Sequence, residues 1–290
     1  MAEQLRILSI GAHPADVFDQ SGGAMAHHAA RGDKVSCIVI THGARTHDQV
    51  ISEQMFKSKD VPQGDRLVKL MEERAKIKQG EVRKACNILG FDDIHFLGVD
   101  DEVLLVTPET VRRVARLIRK IKPHIILTHY PKVYDGIANQ HAVTGQIVLH
   151  AIQTAAAVDT GDPTPPVRVA QVFFFGTSAG IRQDFWSAGG PHYCDVFIDT
   201  TDVVDKKKAA LNCLESQGYA GAYTSKRIEA SDGDYGICAG TAYAEGFITM
   251  NSETHYLFPI TEMALKNAVS SDYELMARYS QFMDEKPKNP

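Results

Sequence analysis

No apolar run in this chain reaches the roughly 18 residues that a membrane-spanning helix requires, which argues against an integral membrane protein. The opening Met1-Ala2-Glu3-Gln4 carries neither a basic region nor an apolar stretch long enough for a secretory signal, so a cytoplasmic location is expected. Cysteine is sparse. Cys37, Cys86, Cys194, Cys213 and Cys238 are odd in number and scattered, and no two form a C-x-x-C pair. That speaks against a disulfide frame or a cysteine zinc site, and for reduced thiols acting as small buried hydrophobes. Cys238, in a Gly-rich stretch, is the one placed to face a pocket. Positive charge is not in excess either. With a formal net charge of −5, neither nucleic acid nor an anionic membrane surface is an expected partner. Internal repeats and low-complexity tracts are also lacking.

The 290 residues suffice for a sizeable core, and through the first half apolar runs alternate with helical patterns. Strands are expected at 5–10, 34–41, 93–97 and 124–128, and helices at 22–31, 72–89 and 108–121, with Gly90 and Pro123 as stops. Such repetition predicts an α/β, Rossmann-like doubly wound sheet, mostly parallel, with helices on both faces. A long helix at 140–157 and a loop at 159–166 follow, then strands at 169–175 and 196–199 and a helix at 203–216. Residues 218–246 are dense in Gly, Tyr and Ala and show no readable period, so an irregular C-terminal extension is expected. The chain reads as one domain, 1–290: a metal-binding core at 1–157, a pocket-completing part at 158–284, and a tail at 285–290 expected to be disordered. Residues 46–65 lack a pattern and are long for a connection, as loops that cover active sites are.

Polar side chains collect where the expected strands break. The first strand runs into Gly11-Ala12-His13-Pro14-Ala15-Asp16 and then Gly22-Gly23. The second ends in Thr41-His42-Gly43-Ala44-Arg45-Thr46-His47-Asp48, and the fourth in His129-Tyr130-Pro131, Tyr134-Asp135 and Asn139-Gln140-His141. In a doubly wound sheet these ends share one rim, so they can converge. His13, Asp16 and His141 would then form a His-Asp-His set with a coordination position left for water. By spacing alone each of these residues also fits a loop hydrogen bond, and such a set suits non-haem iron as well as zinc.

The segment Gly11-Ala12-His13-Pro14-Ala15-Asp16…Gly22-Gly23 resembles the A-H-P-D-D…G-G signature of the PIG-L/LmbE superfamily of zinc-dependent N-deacetylases. The likeness continues through Arg74, Ala85, Leu89-Gly90, Leu97-Gly98 and Asn139-Gln140-His141, the last at the end of the family's H-P-D-H. It resumes at Lys208-Ala209-Ala210-Leu211, Ser216-Gln217 and Tyr243-Ala244-Glu245-Gly246-Phe247. The resemblance implies Zn2+ as cofactor and His13, Asp16 and His141 as its ligands. It also implies that the family's general base stands at position 15 and its acid at position 138, where this chain has Ala15 and Ala138.

A general acid or base contributes about 10²–10⁴-fold, so two methyl groups there are hard to reconcile with ordinary deacetylation. Another group has to carry the proton. His47 with Asp48 as its orienter is one candidate, and Asp135 with Tyr134 is another. Arg45 can bind a substrate carboxylate in bidentate fashion, Arg227 is a second residue for that role, and Glu245 is read as supporting structure. The branch of the superfamily that looks like this chain is similar to zinc-dependent 4-oxalomesaconate hydratases of aromatic-acid catabolism. The expected activity is therefore hydration of a small unsaturated oxo-polycarboxylate by a homo-oligomeric lyase. The alternatives are an N-deacetylase or amide hydrolase with a relocated base, and a metal-binding homologue without turnover.

Overall fold

The apolar runs become strands because both of their faces are covered. The computed structural model describes residues 3–57, 61–132, 139–175 and 194–283. Its strands are β1 (Arg6–Gly11), β2 (Lys34–Thr41), β3 (Asp93–Val99), β4 (Ile125–Thr128), β5 (Gln171–Phe175), β6 (Val196–Asp199) and β7 (Ala244–Thr249). They form one sheet in the order β3-β2-β1-β4-β5-β7-β6. β1 to β5 are parallel, and β7 runs antiparallel to both of its neighbours. The helices are α1 (Asp16–Asp19), α2 (Gly22–Arg31), α3 (Gln49–Lys57), α4 (Gly64–Leu89), α5 (Pro108–Ile121) and α6 (Gln140–Ala155). After them come α7 (Val204–Leu211), α8 (Ala222–Ile228), α9 (Asp234–Ala239), α10 (Glu262–Ala268) and α11 (Asp272–Tyr279). This is the expected doubly wound architecture.

Successive strand residues point to opposite faces. Ile7, Val35, Cys37 and Val39 pack on one side with Met25 of α2, Val82 of α4 and Leu211 of α7. Leu8, Ile10, Ile38 and Ile40 pack on the other with Val114 and Ile118 of α5 and Val143 and Ile147 of α6. Cys37 and Cys86 are buried in the first of these clusters, whereas Cys238 is exposed on α9. α5 starts where Thr107 accepts a hydrogen bond from the Thr110 N–H, with Pro108, which has no N–H to satisfy, at the first helical position.

Several elements differ from the sequence expectation, among them the helices α8 to α11, which no period in the sequence announces. Residues 49–57 form α3, whose amides at Val50 and Ile51 donate to Asp48 Oδ1, although only Ile51 of that helix is buried. α4 begins at Gly64 rather than at 72. α7 stops at Leu211, and Ser216 lies in a separate single turn where its amide and hydroxyl donate to Glu81. Starting at the end of the stretch read as irregular and running past it, β7 enters the sheet between β5 and β6. Gly246 makes this possible, because a Cβ there would lie 2.9 Å from both Cys194 Sγ and the Tyr235 ring. Among the described residues no helix is long and apolar enough to cross a membrane. The 285–290 tail lies outside the described residues.

Strand order reverses between β1 and β4, since β2 and β3 lie on one side of β1 and β4 and β5 on the other. Crevices at such a switch point, beyond the carboxyl ends of the strands, are where ligands bind in open α/β sheets.

Candidate metal centre and active site

Beyond β1 the chain turns sharply into the single turn of α1. Gly11 permits the reversal, because a Cβ on it would lie 2.7 Å from Asp16 Cβ. The Asp16 carboxylate is thereby aimed back at the strand end. Its Oδ2 accepts from the His13 backbone N–H at 2.7 Å and lies 3.1 Å from His13 Nδ1. The same oxygen is 3.3 Å from His129 Nε2 and 3.4 Å from His141 Nε2. His129 follows β4 and His141 sits in the first turn of α6, so three distant chain segments meet at one carboxylate. His129 stacks on His141 with ring centroids 4.5 Å apart. Burial alone would raise the Asp16 pKa, but the His141 and His129 imidazoles outweigh it and hold the carboxyl well below its ordinary range. Asp16 in turn raises His141. Burial keeps His129 low despite the same carboxylate.

The donor set fits a metal ion. Ligand atoms of His13, Asp16 and His141 all lie within 4.8 Å of one another. Tetrahedral coordination with bonds of about 2.1 Å places ligand atoms ~3.4 Å apart, and the His141–Asp16 pair has this spacing, 3.4 Å. The hydrogen-bond network adds a second argument. Gln140 Nε2 donates to the Asp101 carbonyl at 2.6 Å, which leaves Gln140 Oε1 to face His13 Nε2, also at 2.6 Å. An amide oxygen only accepts, so Nε2 carries the hydrogen and the Nδ1 of a neutral His13 presents its lone pair to Asp16. Two acceptors 3.1 Å apart need a proton or a cation between them. Such outer-shell fixing of a histidine tautomer is a recurrent property of metal sites.

Beside this cluster lies a cavity of about 130 Å³, lined by the three candidate ligands together with Ala15, His47, Asp19, Gln20, Gln217, Tyr219 and Arg227. His47 stands edge-on to His13, with ring centroids 4.3 Å apart. One side of His47 is open to solvent, while partial burial on the other and the neighbouring His13 lower its pKa. Arg227 is bound by Asp19, through Nε at 3.2 Å and Nη2 at 2.8 Å, and Tyr219 donates to the same carboxylate at 3.3 Å. Gln20 Oε1 and Gln217 Nε2 are buried without a hydrogen-bond partner among the described residues.

The remaining predicted positions fall as follows. Arg45 points to the surface, forming paired hydrogen bonds of 2.7 and 2.9 Å to Asp100, and does not line the cavity. Asp48 does not orient His47. It is buried against Arg74 at 2.8 Å and Lys78 at 3.3 Å and caps α3, so its charge is already committed to structure. Tyr134, Asp135 and Ala138 lie outside the described residues. Glu245 reaches from β7 to the start of α2, where it accepts from the amides of Gly23 and Ala24 at 2.8 Å each and from Lys207 at 2.8 Å. Sequence reasoning alone does not assign His129, Gln140, Asp19, Asp101, Gln20, Gln217 or Tyr219 to the site. His129 was detectable from its place at a strand end. Gln140 stands out in the sequence only as the neighbour of His141, and nothing local marks Asp19. Asp101 accepts from the Arg45 and Thr46 amides, the Thr46 hydroxyl and His42, and so holds the loop that carries His47.

The chain is 25% identical over 230 residues to a 4-oxalmesaconate hydratase of Pseudomonas putida, covering 77% of this chain and 78% of that protein. It is 27% identical over 178 residues to a 1D-myo-inositol 2-acetamido-2-deoxy-alpha-D-glucopyranoside deacetylase of Thermomonospora curvata, covering 55% and 56% of the two chains. Among solved structures, the 4-carboxy-2-hydroxymuconate hydratase GalB of Pseudomonas putida superposes with a TM-score of 0.67 at 22% identity, over 88% of this chain and all of that one. The N,N'-diacetylchitobiose deacetylase of Pyrococcus horikoshii gives the same TM-score, 0.67, at 19% identity over 84% and 83% of the chains. These two likenesses establish the fold. Residues 8–152, which contain the whole His13, Asp16 and His141 set, match the family model described as GlcNAc-PI de-N-acetylase, and the chain belongs to that PIG-L family.

Proposed function

We propose that this protein is a zinc-dependent hydratase that adds water across the carbon–carbon double bond of a small unsaturated oxo-polycarboxylate of the 4-oxalomesaconate type. The observation that carries this reading is the pairing of Ala15 and His47 in one cavity. A methyl group lines it where the resemblance locates the deacetylase base, while His47, of lowered pKa, stands open to solvent beside His13. The hydratase of Pseudomonas putida, matched over about three quarters of both chains, supports the same reading.

Zinc held by His13, Asp16 and His141 would supply Lewis acidity that lowers the pKa of water toward about 7. The chain's own groups do the rest. Neutral His47 takes a proton from water as the oxygen bonds to one alkene carbon. The π electron pair moves to the neighbouring carbon and into the adjoining carbonyl. The resulting imidazolium returns its proton to that carbon, so no net proton is consumed. Arg227 Nη1, which has no partner among the described residues, and the amide donor of Gln217 bind substrate carboxylate oxygens. Asp19 holds Arg227 in place for this.

The test is a paired assay on zinc-loaded protein: loss of the conjugated absorbance of 4-oxalomesaconate, beside acetate release from N-acetylglucosamine derivatives. Absorbance loss without acetate, abolished by chelation, is expected. The acidic limb of kcat/KM should lie below pH 6.5, because a general base of lowered pKa is lost only as pH falls through that value. His47→Gln should remove that limb. The deacetylase relatives and the complete ligand set favour a second reading, amide hydrolysis with a relocated base. Acetate release, accelerated in Ala15→Asp, would establish it. Metal binding with neither product would leave a non-catalytic homologue.

A further inference from the structure

Among the described residues no hydrogen bond reaches the His47 imidazole, whose ring contact with His13 is edge-on. Its placement therefore depends on its backbone. Asp101 holds the chain just before it, through the Arg45 and Thr46 amides. From behind, the support is Lys78 of α4, which is fully buried and donates from Nζ to the His47 carbonyl at 2.8 Å. The same ammonium donates to Ser216 Oγ at 2.9 Å and lies 3.3 Å from Asp48 Oδ2. An ammonium has three donors, and these three acceptors match them. Ser216 extends the connection, because its amide and hydroxyl donate to Glu81 and the next residue, Gln217, lines the cavity. The turn carrying Gln217 is also pressed against the start of α3, where a Cβ at Gly218 would collide with the Gln49 amide.

We propose that Lys78 is a positioning residue for the hydration, fixing His47 and Gln217 at a set separation so that base and carboxylate donor meet one substrate. The inference rests on the roles given above to those two residues. Charge is the first argument. Arg74 and Lys78 stand against Asp48 and Glu81, two cations and two anions, so the cluster is neutral without drawing on any group of the cavity. Burial draws the Lys78 pKa down, and the Asp48 and Glu81 carboxylates oppose it. Packing is the second. An apolar side chain in place of a buried ion pair is often neutral or stabilising, so filling this space does not call for a cation. What the ammonium supplies is a fixed link between positions 31 and 138 residues away from it in the chain. Reach is the third. Both links end one bond network away from cavity-lining side chains, where a misplacement of ~1 Å costs about 10²-fold in rate.

Amide hydrogen exchange and steady-state hydration kinetics are measured together on the full chain, for the parent, Lys78→Met, Lys78→Arg and Ser216→Ala. In Lys78→Met the amides at 47–51 and 215–218 should exchange faster, while those of β1 stay as slow as in the parent. Its kcat should fall by about 10²-fold, and Lys78→Arg, which keeps a cation with several donors, should recover most of that loss. Ser216→Ala leaves both ion pairs of Asp48 in place and decides the matter if Lys78→Met does not fold. It should loosen 215–218 alone and raise KM by about 2–10-fold, the worth of one hydrogen bond, with a smaller change in kcat. Segments that loosen as expected in a chain that hydrates nothing would sink the hydratase reading and leave the positional role of Lys78 standing. Unchanged exchange at both segments, exchange that quickens equally in β1, or a kcat for Lys78→Met equal to the parent's would overturn the proposal while leaving the hydratase reading intact.

Discussion

At the scale of single residues, the candidate centre depends on which hydrogen each group carries. His13 is the clearest case. Its Nε2 faces Gln140 Oε1 and its Nδ1 faces Asp16, so the Gln140 amide decides which nitrogen is free to donate electrons. Replacing Gln140 by Leu removes that acceptor and strands the Asp101 carbonyl, while His13, Asp16 and His141 remain. The expected result is zinc affinity lowered by about 10–100-fold, as for other outer-shell partners. Competition against a chromophoric chelator reads it directly, and Gln140→Glu, which retains an acceptor, should restore most of the affinity. Equal affinity in Gln140→Leu and the parent would sink the tautomer argument. The candidate set of His13, Asp16 and His141 was legible because it falls on the residues that carry the family resemblance, at strand and helix ends that the topology brings together. Gln140 was not, since its contact to Asp101 spans 39 positions and leaves no local pattern. Asp48 shows the opposite failure. It follows His47 in the chain, yet its carboxylate turns to Arg74, Lys78 and the start of α3. Adjacency in sequence carries no information about side-chain direction.

At the scale of elements, the parallel strands were readable because burial on both faces demands unbroken apolar runs. β7 was not, for a physical reason visible in its residues. Glu245 and Gly246 interrupt the apolar pattern, the first to reach α2 and the second to clear Cys194 and Tyr235. α3 escaped notice because one buried residue, Ile51, makes no amphipathic stripe. Glu245 ties these elements together. Its carboxylate satisfies two of the unpaired amides that begin α2, where a negative charge is also favoured by the helix dipole. It also shares Lys207 with Asp232, whose pKa burial pushes up to about 6. Glu245 is 1% exposed and Lys207 fully buried. Removing one partner from such a buried ion pair costs about 3–5 kcal/mol, so Glu245→Ala should lose that much in urea-monitored unfolding. Glu245→Gln, which keeps an acceptor for the α2 amides, should lose distinctly less. A loss under about 1 kcal/mol for Glu245→Ala would mean that α2 and Lys207 find other partners.

At the scale of the whole molecule, the family match at 8–152 invites the idea of a self-sufficient metal-binding core. The packing argues otherwise. The face of the sheet formed by Ile7, Val35, Cys37 and Val39 is closed by Leu211, Leu214, Tyr243 and Phe247 as well as by α2 and α4. The amides of Gly23 and Ala24 bond to a residue more than 220 positions away. The cavity beside the ligands draws Gln217, Tyr219 and Arg227 from the later half. Cutting the chain at 157 would expose the first apolar cluster, unpair the start of α2 and remove the Asp19 partner Arg227, all at once. Net stability of a domain is only about 5–15 kcal/mol, and the loss of four buried side chains at about 1.5–3 kcal/mol each is of that size. The fragment 1–157 should therefore lack a cooperative thermal transition and bind zinc weakly, although it contains all three ligands. The full chain should unfold in one transition that zinc displaces upward. Circular dichroism melts of both, with and without zinc, test this. A fragment that melts cooperatively and binds zinc as tightly as the full chain would show that the first half forms the centre alone, leaving the second half a role in substrate recognition only.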